Sequence, residues 1–81
     1  MEPKVKFPEL RAVMARHGVT QSDLAELVGD SPHTFGKKMN ALAEFTFNDI
    51  VKIREFFRDK GEIAVTVDSL FFDWNFTLVK R

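Results

Sequence analysis

Three residues, Gly29, Asp30 and Ser31, are all that separate the end of one helical pattern from the start of the next. Upstream, Thr20 is a natural N-cap and Asp23 an acidic capping-box partner for a helix over residues 21–28, with Leu24, Leu27 and Val28 on its apolar side. Downstream, Ser31 caps a helix reaching about residue 40. It opens on Pro32, where the missing amide proton costs nothing, and Phe35 and Met39 face inward one turn apart. A chain that turns this tightly at Gly29 must make two short rods cross sharply. Ala25 is the small residue at their closest approach, and Leu24, Val28 and Phe35 form their shared core.

The rest of the chain follows the same helical grammar. Phe7, Leu10, Met14 and His17 recur at the three-and-four spacing of one helical face over residues 7–17. Pro8 suits the first turn of that helix, Arg16 and His17 its negative end and Gly18 a left-handed cap. Thr46 caps a fourth helix with Asp49 at the capping-box position, Phe47, Ile50, Ile53 and Phe57 as its apolar stripe, and Lys60-Gly61 as its close. After Gly61 two readings stand. Thr66 can cap a short fifth helix through Asp68 to Phe72, whereas residues 63–67 and 74–79 also alternate like strands. The result is a mainly α fold of four to five short helices over residues 7–72, a loose N-terminal arm over 1–6 and a C-terminal extension over 73–81, helical or strand-like.

Composition narrows the chemistry. With 81 residues, of which 44% are hydrophobic, the chain can build one core of marginal size. The absence of cysteine excludes disulfides, thiolate metal sites and cysteine nucleophiles. Two histidines far apart make no metal site, and Asp23 with Glu26 on one short helix reads as solvation rather than a catalytic pair. No signal peptide or membrane span is visible, so a cytoplasmic protein is expected. Twelve basic residues balance twelve acidic ones, so any attraction to phosphate has to come from a local cluster. Phe56, Phe71, Phe72, Trp74 and Phe76 are more aromatic groups than one small core needs, which assigns some of them to a subunit interface or to a cover over the helices.

Residues 20–40, TQSDLAELVGDSPHTFGKKMN, carry the most information. Gln21, Leu24, Ala25, Val28, Gly29, Ser31 and Phe35 resemble the helix-turn-helix of the phage repressor, Cro and XRE family, and the five helices over 7–72 resemble its lambda-repressor-like DNA-binding domain. The run from Thr34 to Asn40 and the later Glu44-Phe45-Thr46 are similar to small phage-encoded regulators of Gram-positive bacteria. The resemblance implies a transcriptional regulator that inserts its third helix into the major groove of operator DNA as a homodimer, with no cofactor and no small-molecule substrate. His33, Thr34 and Lys37 are then the base-reading candidates, since they share an exposed helical face and can donate to base edges. Gln21, Ser31, Lys38, Asn40 and Arg16, with Arg11 as an alternative to Arg16, are the phosphate candidates.

Some residues depart from the family pattern. Lys38 stands where many relatives carry an apolar residue, with Met39 taking over the packing. Gly36 costs about 1 kcal/mol in a helix interior and either permits close approach to DNA or is simply tolerated. Two lysines against Asp23, Glu26 and Asp30 within residues 20–40 imply modest non-specific affinity. A plain solvated surface is the competing reading of His33 and of both lysines. Two other functions stay open: a protein-interaction module such as an antitoxin or co-regulator, and an accessory phage factor that bends DNA. Dimerisation is expected through the tail, where Trp74, Phe76 and Leu78 fall on one side of a strand.

Overall fold

The structure, a computed structural model, describes residues 6–72. Its five helices are α1 (Pro8–His17), α2 (Gln21–Val28), α3 (Pro32–Met39), α4 (Phe47–Asp59) and α5 (Asp68–Phe72), and no strand occurs among the described residues. The expected mainly α bundle is therefore present, and the helix boundaries fall within a residue of those read from the caps. The arm over 1–5, the segment 73–81 and the expected strand at 74–79 lie outside the described residues. The strand-like alternative over 63–67 gives way to a loop leading into α5, a single turn of π-type helix.

The caps explain why the helices stop where they do. Thr20 and Asp23 make a reciprocal capping box on α2, and Thr46 and Asp49 make another on α4. Thr66 and Ser69 bond each other's backbone amides in the same manner before α5. At Gly29 the backbone turns left-handed at φ 83°, and the next amide, Asp30, donates to the Ala25 carbonyl at 2.9 Å. A residue with a Cβ would be strained in that conformation, which is the need the glycine meets.

Inside the bundle, α2 packs on α3 and α4, and α1 packs on α5. Leu10, Val13, Leu24, Ile53, Phe57 and Leu70 are fully buried, as are Phe35 and Met39 on the inner side of α3. Phe45, in the connection between α3 and α4, is the hub of an aromatic cluster. Its ring centroid lies 5.2 Å from Phe7, 5.7 Å from Phe35 and 5.0 Å from Phe71, each in an edge-to-face arrangement that the ring quadrupoles favour. One expectation fails on α4. Phe47 is 79% exposed, because at 3.6 residues per turn it lies roughly 90° around the helix from the stripe formed by Ile50, Ile53 and Phe57.

The chain leaves α3 through a second left-handed residue, Ala41, at φ 62°. Beyond it, the Leu42 amide donates to the Lys37 carbonyl at 2.8 Å, closing the helix as a glycine would. An alanine here carries strain that glycine lacks. We therefore expect Ala41→Gly to raise the free energy of unfolding by about 0.5–1 kcal/mol in urea titrations; a loss of stability would show that the conformation at Ala41 is wrongly assigned.

Candidate functional site

The candidate site is the outer face of α3. His33, Thr34 and Lys37 are all exposed while Phe35 and Met39 are fully buried, so the helix is held by one side and presents the other. Lys37 follows His33 by four residues and Thr34 by three, which brings the three side chains onto one face. Ser31 caps the helix by accepting from the Thr34 amide at 3.1 Å, and its hydroxyl donates to Thr34 Oγ1, also at 3.1 Å. That bond leaves the Thr34 proton available for an outside acceptor.

Three of the expected flanking contacts gather around this face. Ser31 begins α3 and Asn40 ends it, both exposed. Gln21, at the start of α2, lies across the middle of α3: its Oε1 is 3.7 Å from where a Cβ on Gly36 would stand. The glycine thus faces the Gln21 amide, and 3.7 Å is an ordinary van der Waals distance. Gly36→Ala should accordingly stabilise the protein by about 0.5–1 kcal/mol, read as a higher denaturation midpoint. A destabilised variant would mean that Gln21 cannot give way.

Lys38 does not belong to the surface at all, which corrects the expectation of a phosphate contact. Its side chain is buried, and its ammonium lies 2.7 Å from Asp30 Oδ2 and 2.6 Å from Asp49 Oδ2. The physical reason is helical spacing: Lys38 follows Phe35 by three residues and so lies on the side of α3 that Phe35 buries, where Asp30 and Asp49 meet its ammonium. That spacing is the signal in the sequence for an inward position, and the charge can follow it only because the fold brings two carboxylates there. Arg16 also stays out of the cluster. Its Nε and Nη2 donate to the two oxygens of Glu62 at 3.0 Å each, Glu9 lies 3.8 Å away, and His17 Nε2 is 2.8 Å from the same Glu62 carboxylate. Arg11 works internally too, donating from Nη2 to the Met39 carbonyl at 2.9 Å and so holding the end of α3. Sequence reasoning had no local signal for that bond, which spans 28 positions.

The electrostatics follow from these pairings. Burial opposes charge on Lys38, but Asp30 and Asp49 outweigh it and raise the ammonium above its ordinary range. Burial likewise opposes ionisation of Asp49, yet the Lys38 ammonium and the Thr46 amide and hydroxyl hold its carboxyl below the usual carboxylate value. With two carboxylates around one ammonium, the cluster carries a net negative charge behind α3. Lys37 is then the exposed cation of the site, and no ion pair engages it among the described residues. No group of His, Cys, Asp and Glu among those residues is arranged to hold a metal ion. No known protein family, characterised protein or solved structure matches the chain.

Replacing Lys38 by methionine should destabilise the protein by about 3 kcal/mol, since it leaves Asp49 buried without its partner, whereas Lys37→Met should change stability by less than about 0.5 kcal/mol. The pH dependence has a definite sign. Asp49 ionises more readily folded than unfolded, so its contribution is present above about pH 4 and is lost as the pH falls through its lower folded value. Urea titrations across that range should show a shallower acid loss in Lys38→Met than in the parent protein. Equal slopes would mean that the ammonium does not stabilise the charged carboxyl.

Proposed function

We propose that the chain is a sequence-specific DNA-binding regulator of the phage repressor and Cro type, acting in the cytoplasm as a homodimer whose α3 enters the major groove of operator DNA. One observation carries this reading: His33, Thr34 and Lys37 stand together, exposed, on a short helix fixed by its opposite side to the core. An α-helix fits the B-DNA major groove, and side chains that project from its first turns can reach base edges. Lysine donates to guanine N7 and O6, threonine bonds to a base edge or offers its methyl to thymine, and histidine donates from a ring nitrogen. Gln21, Ser31 and Asn40 frame that face with uncharged polar groups suited to phosphate oxygens. The α2–α3 corner supports the resemblance to a helix-turn-helix on the same grounds.

The sparse positive charge makes the reading more specific. With Lys38 paired in the interior and Arg16 paired with Glu62 at the surface, few phosphates are neutralised, so binding should fall only gently with salt and affinity should depend on two copies acting together. Two-fold pairing places a second α3 about 34 Å away, one turn along the duplex.

The test is selection from a randomised duplex pool followed by mobility-shift titration. A selected duplex should be bound better than bulk competitor at moderate salt, and Lys37→Ala should cost about 1–3 kcal/mol while relaxing preference at one position of the site. Failure to enrich any sequence would sink the regulator reading and favour a protein partner, for which the exposed Leu42, Phe47 and Ile63 offer contact area.

A further inference from the structure

The outer face of α3 has a chemical bias: its side chains donate hydrogen bonds, and α3 brings no carboxylate to it. Between Asp30 and Glu44 the sequence contains no aspartate or glutamate, and Asp30 is engaged by the buried Lys38 ammonium at 2.7 Å. Lys37, exposed on this face, offers three N–H donors and no acceptor. A free threonine hydroxyl works in either sense, but Ser31 decides the case of Thr34. The Ser31 Oγ accepts from the Thr34 amide and gives its own proton to Thr34 Oγ1, both at 3.1 Å. With Oγ1 accepting from inside the helix, the hydroxyl of Thr34 is oriented to donate outward. His33 adds a ring N–H in either tautomer, so the sense of the face is set by Lys37 and Thr34.

We propose, resting on the DNA-binding reading, that this face selects a guanine-containing half-site: guanine beneath Lys37 and, on the same strand beneath Thr34, a base that presents an acceptor, with cytosine excluded. The donor and acceptor pattern of the major groove gives the reason. Guanine sets two acceptors side by side, N7 and O6, and one ammonium can meet both. Adenine places an N6 donor beside its N7, and thymine a methyl beside its O4, so each satisfies an ammonium less fully. Cytosine presents its N4 amino donor, which neither Lys37 nor a donating Thr34 hydroxyl can meet. A carboxylate would be the natural partner of that group, and α3 has none. Side chains three apart on a helix have Cβ atoms about 5–6 Å apart, against about 3.4 Å per nucleotide along a strand. The two selected bases therefore stand one or two steps from each other.

The experiment uses the full-length protein and the duplex enriched from a randomised pool. Its half-site should contain guanine, and 7-deazaguanine at that position, which removes the N7 acceptor and keeps base pairing, should weaken mobility-shift binding about tenfold. Inosine at the same position lacks only the minor-groove amino group and should bind within about twofold of the parent duplex. Lys37→Gln should move the preference there from guanine to adenine, because glutamine matches adenine N6 and N7. Thr34→Val keeps the amide that bonds to Ser31 and removes the hydroxyl, so the bias against cytosine at the neighbouring position should disappear. An enriched half-site without guanine, or one indifferent to 7-deazaguanine, would overturn the proposal while leaving DNA recognition standing. A guanine preference that Lys37→Gln does not move would overturn it too. Failure to enrich any sequence would remove the DNA-binding reading itself, and this selectivity with it.

Discussion

A single ammonium group ties together the three parts of the molecule on which the candidate site depends. Lys38 belongs to α3, Asp30 to the turn that precedes it, and Asp49 to the first turn of α4, and the three meet within hydrogen-bonding distance in a place nearly closed to water. Hydrocarbon at that position would pack without directional preference, whereas an ammonium must meet both carboxylates at bonding distance. The same Asp49 carboxylate accepts from the Thr46 amide at 2.9 Å, so one side chain both starts α4 and anchors α3. Exposed ion pairs are typically worth less than about 1 kcal/mol; exclusion of water is what gives this one leverage over the placement of the outer face of α3.

How much of this was legible in the sequence depends on the range of the interaction. Caps are local: Thr20 with Asp23, Ser31 with Thr34 and Thr46 with Asp49 are each three residues apart, so a linear reading places the helix starts closely. The exposed trio on α3 follows from the same short-range geometry, as does the burial of Phe35 and Met39. The contacts that cross the fold were not legible. Nothing local announces that Arg11 reaches the Met39 carbonyl, or that Arg16 and His17 share a carboxylate 46 and 45 positions away. Lys38 is the intermediate case, because its position was readable as inward and its charge argued for solvent. The position decides the outcome in the structure, because two carboxylates are there to meet the charge.

The same pairings decide what kind of interface α3 can offer. A surface meant to hold any nucleic acid gathers unpaired lysine and arginine, and its affinity rises with each phosphate it neutralises. Here Lys38 is engaged by Asp30 and Asp49, Arg16 is engaged by Glu62 away from the site, and Lys37 stands beside uncharged donors. Under the proposed function, discrimination among sequences must therefore come from where Thr34, His33 and Lys37 are held rather than from how much charge they carry. Rigid support then counts for more than charge, which gives a buried network behind the helix a functional use beyond stability.

The connection between α3 and α4 shows how one small core meets several demands together. Ala41 is held in a conformation that costs an L-residue about 1–2 kcal/mol, and four residues later Phe45 inserts its ring among Phe7, Phe35 and Phe71. Edge-to-face aromatic pairs contribute about 0.5–1.5 kcal/mol each beyond area burial, enough to offset the strain at Ala41. Phe7 obeys the same logic, being left-handed at φ 54° yet only 8% exposed. Once Phe45 is fixed, Thr46 has to begin α4 directly after it, and the angle of that first turn turns Phe47 outward. Phe47 then falls in the first turn of α4, roughly 90° around the helix from the stripe that faces the core, and is left 79% exposed.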